Sequence, residues 1–151
     1  LLNSKGEVIG INTVKVVSAE GIGFAVPINI VKPVIERLVN EGKYEDPYLG
    51  VFAYDKNLIS CVDCSVKSDN GVYVAHVDEK GPAYRSGIRV GCIIREVDGR
   101  LIDTMAQLRS YIYSKKPGDI INITHLSREN GRLETVSVQL GKKDGDGTIT
   151  R

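Results

Sequence analysis

A single glycine, Gly50, stands among apolar residues where a proline-led segment becomes a strand-like run, D-P-Y-L-G-V-F-A-Y at residues 46–54. Because glycine has no side chain, successive backbone N–H groups can turn toward one point and bind an anion such as a peptide's terminal carboxylate. The strand that follows would then accept the peptide as an added antiparallel strand. The alternative is that Gly50 marks only a tight turn or bulge, the commoner role of a glycine beside a strand. The residues predicted to bind peptide on this side are Tyr48, Leu49, Gly50, Val51, Phe52, Ala53 and Tyr54.

A helix predicted over residues 104–114 would form the other wall of the same groove. Asp103 is its predicted N-cap, and Pro117-Gly118 follow its end. Residues at i, i+3, i+4 and i+7 share one helix face. The candidates on that face are Met105, Leu108, Arg109 and Ile112. Some of them must face the core, and Met105 suits either a tolerant groove or a core gap.

The cysteines Cys61, Cys64 and Cys92 are too few for a disulfide scaffold. The C-V-D-C spacing fits a redox pair or half a zinc site, but neither a helix start for the first thiol nor four ligands is visible. We therefore expect buried or loop thiols without a task, and we predict no metal and no cofactor.

The chain also lacks the pattern of a hydrolytic centre. No serine lies in a G-x-S-x-G motif, and we expect His76 and His125 to be surface or half-buried strand residues. The D-G-D-G-T run resembles the middle of a calcium loop, but Lys142 stands at its first position and no glutamate at its twelfth. We predict no catalytic residue in this chain and a flexible polar tail at residues 143–151.

Charge and hydropathy argue against two classes of protein. The 151 residues are 42% hydrophobic, and 20 basic residues against 19 acidic ones leave a net charge of +1, which provides no field for nucleic acid. No apolar run approaches the roughly 20 residues that span a bilayer. Since the chain opens in the middle of a hairpin-like pattern without Met, we expect it to be the end of a longer protein.

Residues 1–42 predict two strands, near residues 8–11 and 21–27, followed by a helix. The helix has an apolar stripe, for which Asn29 is the predicted cap and Gly42 the stop, with Pro33 in the first turn. The stripe consists of Val31, Val34, Ile35, Leu38 and Val39. Residues 43–47 are charged, contain a proline and predict a linker.

Residues 48–142 predict a second unit with five strands and two helices. The strands are expected at 50–55, 71–78, 92–97, 120–127 and 132–140, and the helices at 82–86 and 104–114. Asn130-Gly131 predicts a two-residue hairpin turn between the last two strands. This content favours a mainly β fold with α-helices (α+β), a partly open five-stranded β-barrel or sandwich.

The run G-V-Y-V-A-H-V-D-E-K-G-P-A-Y-R-S-G-I-R-V-G-C-I-I-R-E-V-D-G-R-L-I, residues 71–102, resembles the central signature of PDZ domains. The tetrad Y-L-G-V at residues 48–51 resembles their carboxylate-binding loop. Cys92 departs from the pattern, because the family usually carries aspartate in a G-D-x-I turn there. That departure puts one capping hydrogen bond in doubt, but not the fold.

The opening L-L-N-S-K-G-E-V-I-G-I-N-T, followed by G-I-G-F-A-V-P-I-N, resembles the last segment of the trypsin-like β-barrel of HtrA (Do-like) serine proteases. The resemblance implies that the catalytic serine, histidine and aspartate lie upstream, so that this chain alone is inactive. It also implies that Gly23, Phe24 and Ala25 are remnants of the strand that contacts substrate. The alternative is that Phe24 and Val26 are core residues of a hairpin.

The resemblance implies a peptide-binding regulatory module of a serine endopeptidase, which captures C-terminal or extended apolar peptides of misfolded proteins by strand addition. The implied partners are such peptides and the protease domain of the same parent chain. The parent is expected to be a trimer outside the cytoplasm, held by an N-terminal anchor, whereas the fragment itself is expected to be a soluble monomer. The alternative is a scaffold or targeting PDZ domain with no protease role.

Overall fold

The computed structural model describes residues 1–15, 23–55, 58 and 70–143, and the chain divides into two units, residues 1–44 and 45–151. In the first unit, strands β1 (Gly10–Lys15) and β2 (Gly23–Pro27) pair antiparallel. Helix α1 (Ile28–Glu41) follows directly, and none of its side chains is buried. None of the helices in the described ranges is long and apolar enough to cross a bilayer.

The end of α1 confirms its prediction, but the start does not. Gly42 adopts a left-handed φ of 71° and donates its N–H to the carbonyl of Leu38 at 3.0 Å, closing the helix. The N-cap is Pro27, without a side-chain cap, so the predicted cap at Asn29 is wrong. Pro33 therefore lies in the second turn rather than the first, where it removes one helical hydrogen bond. Pro27 can act as the N-cap, directly before α1, because the N–H groups in the first turn of a helix have no partner within the helix.

The second unit is built from eight strands and two helices among the residues that the structure describes. The strands are β3 (Pro47–Tyr48), β4 (Val51–Asp55), β5 (Val72–Val77), β6 (Ile93–Val97), β7 (Arg100–Leu101), β8 (Ile120–Leu126), β9 (Leu133–Gln139) and β10 (Gly141–Lys142). The helices are α2 (Pro82–Arg85) and α3 (Met105–Tyr113). The main sheet runs β4-β5-β6-β8-β9 with β7 on β6, and β10 pairs with β3.

Alternating apolar positions of the sheet form the core of this unit. Ile94 on β6 and Ile121 and Ile123 on β8 are completely buried, and they pack with Ile88 and Leu140. The sheets are open, and the described residues form no closed barrel. Strands outnumber helices, so the predicted mainly β fold with helices is confirmed. Ala53 of β4 and Leu108 and Ile112 of α3 pack into this core, and this packing positions the two elements that border the candidate site.

Two local predictions in this unit are wrong. The N-cap of α3 is Thr104 rather than Asp103, since Thr104 Oγ1 accepts the N–H of Gln107 at 3.2 Å while Gln107 Oε1 accepts the N–H of Thr104 at 3.1 Å. Residues 127–132 join β8 and β9, and the N–H of Ser127 bonds to the carbonyl of Arg132, so the turn has four residues, 128–131, rather than the predicted two. The Asn130 side chain instead accepts the N–H of Arg132 at 2.9 Å, which favours the longer loop.

Candidate functional site

The backbone at Gly50 requires glycine for two reasons. Its φ of 82° lies in the left-handed region, which other residues adopt only with strain. A Cβ at this position would lie 3.1 Å from the Cα of Gly81 and 3.4 Å from a ring carbon of Tyr48. The chain therefore makes a close backbone approach here that a side chain would disturb.

At the turn before β4, two carbonyl groups accept hydrogen bonds from within the unit, whereas two N–H groups have no acceptor among the described residues. The carbonyl of Leu49 accepts the N–H of Ala83 at 3.0 Å, and the carbonyl of Gly50 accepts the N–H of Asp78 at 2.9 Å. Among the described residues, none accepts a hydrogen bond from the N–H of Leu49 or Gly50. Two backbone donors at this turn are thus available to an external acceptor.

Strand β4 lies at one edge of the main sheet. Its partner among the described strands is β5 alone, with Val51 opposite Val77 and Asp55 opposite Val72. Helix α3 packs against β3 and β4, and a groove of about 290 Å³ lies between helix and strand. The sheet edge and the two free N–H groups therefore border one groove.

Eight of the eleven residues predicted from sequence line this groove. Tyr48, Leu49, Gly50 and Val51 lie on the strand side, and Met105, Leu108, Arg109 and Ile112 lie on the helix side. Leu108 and Ile112 are buried, Met105 is half-buried and Arg109 is exposed. The groove thus combines an apolar floor with a cation at its mouth.

The other three predicted residues follow Val51 on β4 but do not line the groove. Ala53 is buried in the main core, and Tyr54 packs beside Tyr73 on the opposite face of the sheet. Phe52 is exposed and makes an edge-to-face contact with Tyr54 at a centroid distance of 5.3 Å. On an edge strand, these residues would contact an added peptide through the backbone.

Four groove residues were missed from the sequence. Tyr113 could have been found, because it follows Arg109 by four positions on the same helix face. Asp46, Pro47 and Lys143 enter through the pairing of β3 with β10, in which Lys142 opposes Pro47 and the N–H of Lys143 bonds to the carbonyl of Asp46. Pairing between residues so far apart in the sequence leaves no local signal.

A tyrosine–aspartate hydrogen bond links the groove residue Tyr48 to Asp78, which does not line the groove. The Tyr48 hydroxyl donates to Asp78 Oδ2 at 2.9 Å, and burial together with this carboxylate raises the pKa of Tyr48. The N–H of Lys80 and the Tyr48 hydroxyl hold the pKa of Asp78 below its ordinary value. Within the groove, burial raises the pKa of Tyr113, and the nearby Asp46 adds to the effect.

The predicted substrate-strand residues lie on β2 of the first unit. Phe24 is 58% exposed, Gly23 is exposed and Ala25 is half-buried. The alternative that Phe24 is a core residue of this hairpin is therefore wrong, whereas Val26, the second residue of that alternative, is half-buried. Among the described residues of this unit, neither β2 nor α1 has a buried side chain.

The predictions for the cysteines and histidines have different outcomes. Cys61 and Cys64 lie outside the described residues, as does the D-G-D-G-T run at 144–148. His76 is exposed, as expected, but His125 is only 1% exposed, so its predicted surface position is wrong. His125 follows Ile121 and Ile123 at every second position of β8, which places it on the buried face. The described residues contain no cluster of three or more metal-ligating side chains.

Comparison with known proteins agrees with this arrangement. The family model of the PDZ domain matches residues 47–140. The chain is 37% identical over 151 residues to the serine protease Do-like HtrA of Lactobacillus helveticus, covering 93% of this chain and 36% of that protein. It is 34% identical over 154 residues to Do-like HtrA of Bacillus subtilis (strain 168), covering 95% of this chain and 34% of that protein. The chain thus spans about a third of the length of these curated relatives.

Solved structures give the same assignment. The HtrA-type protease AlgW with a tripeptide is 26% identical, with a TM-score of 0.66 over 95% of this chain and 48% of that one. A serine endoprotease from Yersinia pestis is 29% identical, with a TM-score of 0.57 over 95% of this chain and 46% of that one. The chain therefore belongs to the PDZ domain family, and along most of its length it is similar to HtrA or Do-like serine proteases.

Proposed function

We propose that residues 48–142 form a peptide-binding regulatory domain that captures apolar chain ends in the groove between β4 and α3. The observation that carries this proposal is the meeting of three features at one place. Two backbone N–H groups without an acceptor among the described residues, a strand edge open in the described sheet, and an apolar floor all border the same groove. Each feature suits a different part of a peptide's C-terminus.

Binding would begin with the terminal carboxylate at the N–H groups of Leu49 and Gly50. Charge-assisted hydrogen bonds to backbone donors are stronger than neutral ones, and Arg109 and Lys143 add positive charge at the groove. The preceding residues of the peptide would then pair antiparallel with β4, which supplies the affinity that does not depend on peptide sequence.

Specificity would come from the last side chain of the peptide. Its position above Leu108 and Ile112 gives it an apolar floor, while Met105 can adapt to different apolar shapes. Extended apolar ends of this kind become exposed when proteins misfold.

In the parent protein this domain would deliver such chains to the protease or shift the protease toward its active state. HtrA-type protease AlgW was solved with a decapeptide and with a tripeptide, which supports a peptide as the ligand. A relative from Halomonas elongata is described as a probable periplasmic endoprotease, which supports a location outside the cytoplasm. We further propose a trimeric, membrane-anchored parent whose catalytic residues lie upstream of Leu1, with residues 1–42 closing the protease domain and 43–47 linking it to the PDZ domain.

The test compares one peptide with a free and with an amidated C-terminus. By calorimetry, a peptide ending in a small apolar residue should bind the 151-residue chain with a Kd on the order of micromolar. Amidation removes charge-assisted hydrogen bonds worth about 1.5–3 kcal/mol, so the amide should bind roughly 10- to 100-fold more weakly. Equal affinities for the two forms would refute binding of the carboxylate at Leu49 and Gly50.

A second measurement addresses the placement of the catalytic residues. The purified chain should not hydrolyse casein, because none of its serines lies in a G-x-S-x-G motif. Hydrolysis that survives removal of contaminating proteases would contradict that placement, while leaving the peptide groove untouched.

A further inference from the structure

A second polar site lies around Cys92 and His125, neither of which lines the peptide groove. Cys92 precedes β6, and His125 lies on β8, which pairs with β6 so that Ile94 opposes His125. Cys92 and Ile94 share a sheet face, so Cys92 and His125 are diagonal neighbours across two strands. Both side chains are buried, with exposed fractions of 3% and 1%.

The imidazole of His125 is buried without an ordinary hydrogen bond to a described residue. Neither of its ring nitrogens makes a hydrogen bond of ordinary geometry with a described residue, although both are buried. Burying a polar ring without partners is unfavourable, and such groups in native proteins usually serve a specific purpose. The strongest influence on the ring is the Cys92 sulfur, which raises the pKa of His125 against the opposing effect of burial.

The thiol stands in surroundings that favour its anion. Burial raises the pKa of Cys92, but His125 and the nearby backbone N–H groups of Arg89 and Arg128 together lower it below its ordinary value. Gly91 allows this approach, because a Cβ there would lie 2.3 Å from the Cδ of Arg128. Arg128 can therefore cross the backbone beside the thiol only where residue 91 has no side chain.

A polar pocket of about 160 Å³ leads to Cys92. Its wall includes Ser127, two basic residues, Arg89 and Arg128, and two acidic residues, Glu129 and Glu134. Arg89 is held in place by the ring of Tyr84 at 3.9 Å and by the Tyr84 carbonyl at 2.6 Å. The pocket is thus large enough for a small polar reagent and too polar for a purely packing cavity.

The geometry points to a reactive thiol: Cys92, paired with His125, is a site of oxidation by small hydroperoxides that enter through this pocket. The thiolate sulfur attacks one peroxide oxygen, an S–O bond forms and the O–O bond breaks. The sulfur is oxidised by two electrons to a sulfenic acid and the peroxide is reduced. The imidazolium of His125 gives its proton to the departing oxygen, which leaves as water or an alcohol.

A metal is the competing ligand for a thiol–imidazole pair, but two ligands fall short of a tetrahedral site. Within the described ranges, no third metal-ligating side chain completes a cluster with Cys92 and His125. A reagent that needs only one nucleophile and one proton donor fits the pair better.

The test treats the full chain with hydrogen peroxide, traps sulfenic acid with dimedone and quantifies it by mass spectrometry of the peptide containing Cys92. Digestion with trypsin separates Cys92 from Cys61 and Cys64, which share one peptide, so Cys92 is read independently of the other two thiols. An ordinary thiol with a pKa near 8.5 is only about 3% ionised at pH 7, so Cys92 in the folded chain should react about tenfold faster than in the urea-unfolded chain. Equal rates in the two states would overturn the proposal.

Two variants assign the effect to the pair. His125→Gln should remove the rate advantage of Cys92, whereas His76→Gln, at the other histidine of the chain, should retain it. If His125→Gln fails to fold, the pH dependence of alkylation by iodoacetamide in the unaltered chain decides. A midpoint for Cys92 below about 8.5 supports the pair, and a midpoint at or above that value contradicts it.

Discussion

The two units of the chain follow the same local rules and reach different outcomes. The first has a strand hairpin and an amphipathic helix, but none of the side chains of α1 is buried. Several of its large apolar side chains are more than a third exposed: Leu1, Leu2, Val8, Ile9, Ile11, Phe24, Ile35, Leu38 and Val39. In the second unit, β-strands of similar length enclose completely buried residues such as Ile94 and Ile123.

The difference teaches that periodicity predicts elements, whereas burial depends on how much chain is present to cover them. A segment of 44 residues cannot form a substantial core, while the 107 residues from 45 to 151 can. The apolar stripe of α1 is therefore not buried by the described residues of its own unit. The PDZ unit, in contrast, has its core, its edge strand and its groove in one compact region.

The largest expected difference between the units concerns an isoleucine in each. Ile123→Ala removes a completely buried side chain of β8 and should lower the free energy of unfolding by about 2–5 kcal/mol. Ile35→Ala removes the same atoms from a side chain that is 41% exposed on α1, and should cost less than about 1 kcal/mol. Urea denaturation followed by circular dichroism measures both.

This pair of variants can break the comparison. If Ile35→Ala destabilises the main unfolding transition as much as Ile123→Ala does, the two units share one cooperative core. Their division would then describe the chain's contacts but not its stability.

Glycines with a left-handed backbone provide the second comparison. Gly50 has φ 82° with Gly81 Cα 3.1 Å from its would-be Cβ, whereas Gly42 has φ 71° with nothing within 4 Å. Substitution by alanine costs roughly 1–2 kcal/mol of strain at either position. Crowding is added only at Gly50, so Gly50→Ala should both destabilise the PDZ unit and weaken binding of a free-carboxylate peptide at least about tenfold. Gly42→Ala should leave peptide binding unchanged.

A matched control within the PDZ unit separates strain from crowding. Gly118 has φ 92° and no atom within 4 Å of its would-be Cβ, so Gly118→Ala introduces strain alone. Calorimetry should show normal peptide affinity for this variant. Comparable loss of binding in Gly118→Ala and Gly50→Ala would mean that general destabilisation, rather than the carboxylate-binding turn, accounts for the effect.

The groove was predictable where its signals are local. Gly50 before a strand, and the helix positions of Leu108, Arg109 and Ile112, follow from turn chemistry and from the helical repeat. Lys143 was not predictable, because it reaches the groove through the pairing of β10 with β3, nearly a hundred positions earlier in the sequence. Long-range pairing of two-residue strands has no periodicity to detect.

His125 shows a different kind of failure. Ile121, Ile123 and His125 alternate along β8 and share one face, whereas the position predicted for His125 from the sequence is on the surface or half-buried. Its diagonal neighbour is Cys92, which directly precedes β6 and raises the pKa of the His125 imidazole against the effect of burial. A polar residue on a buried face can be interpreted only together with its partner, and the sequence does not show which residue that is.

The smallest expected effect concerns the hydrogen bond between Tyr48 and Asp78 of the PDZ unit. Tyr48→Phe removes the 2.9 Å hydrogen bond to Asp78, and since the site is partly open to solvent we expect a loss of about 0.5–1 kcal/mol at neutral pH. Tyr54→Phe is the control, because the Tyr54 hydroxyl makes no hydrogen bond to a described residue; it should cost less.

The pH dependence of this loss has a definite sign. Because the pKa of Asp78 is lowered in the folded state, first by the Lys80 N–H and then by Tyr48, the carboxylate contributes stability above its unfolded pKa of about 4. That contribution is lost as the pH falls through the folded pKa, so the gap between the unaltered chain and Tyr48→Phe should narrow in acid. Urea denaturation at neutral and acid pH measures the gap. A gap that is constant from neutral to strongly acid pH would show that the hydroxyl acts through packing, and that the charge of Asp78 does not support the carboxylate-binding turn.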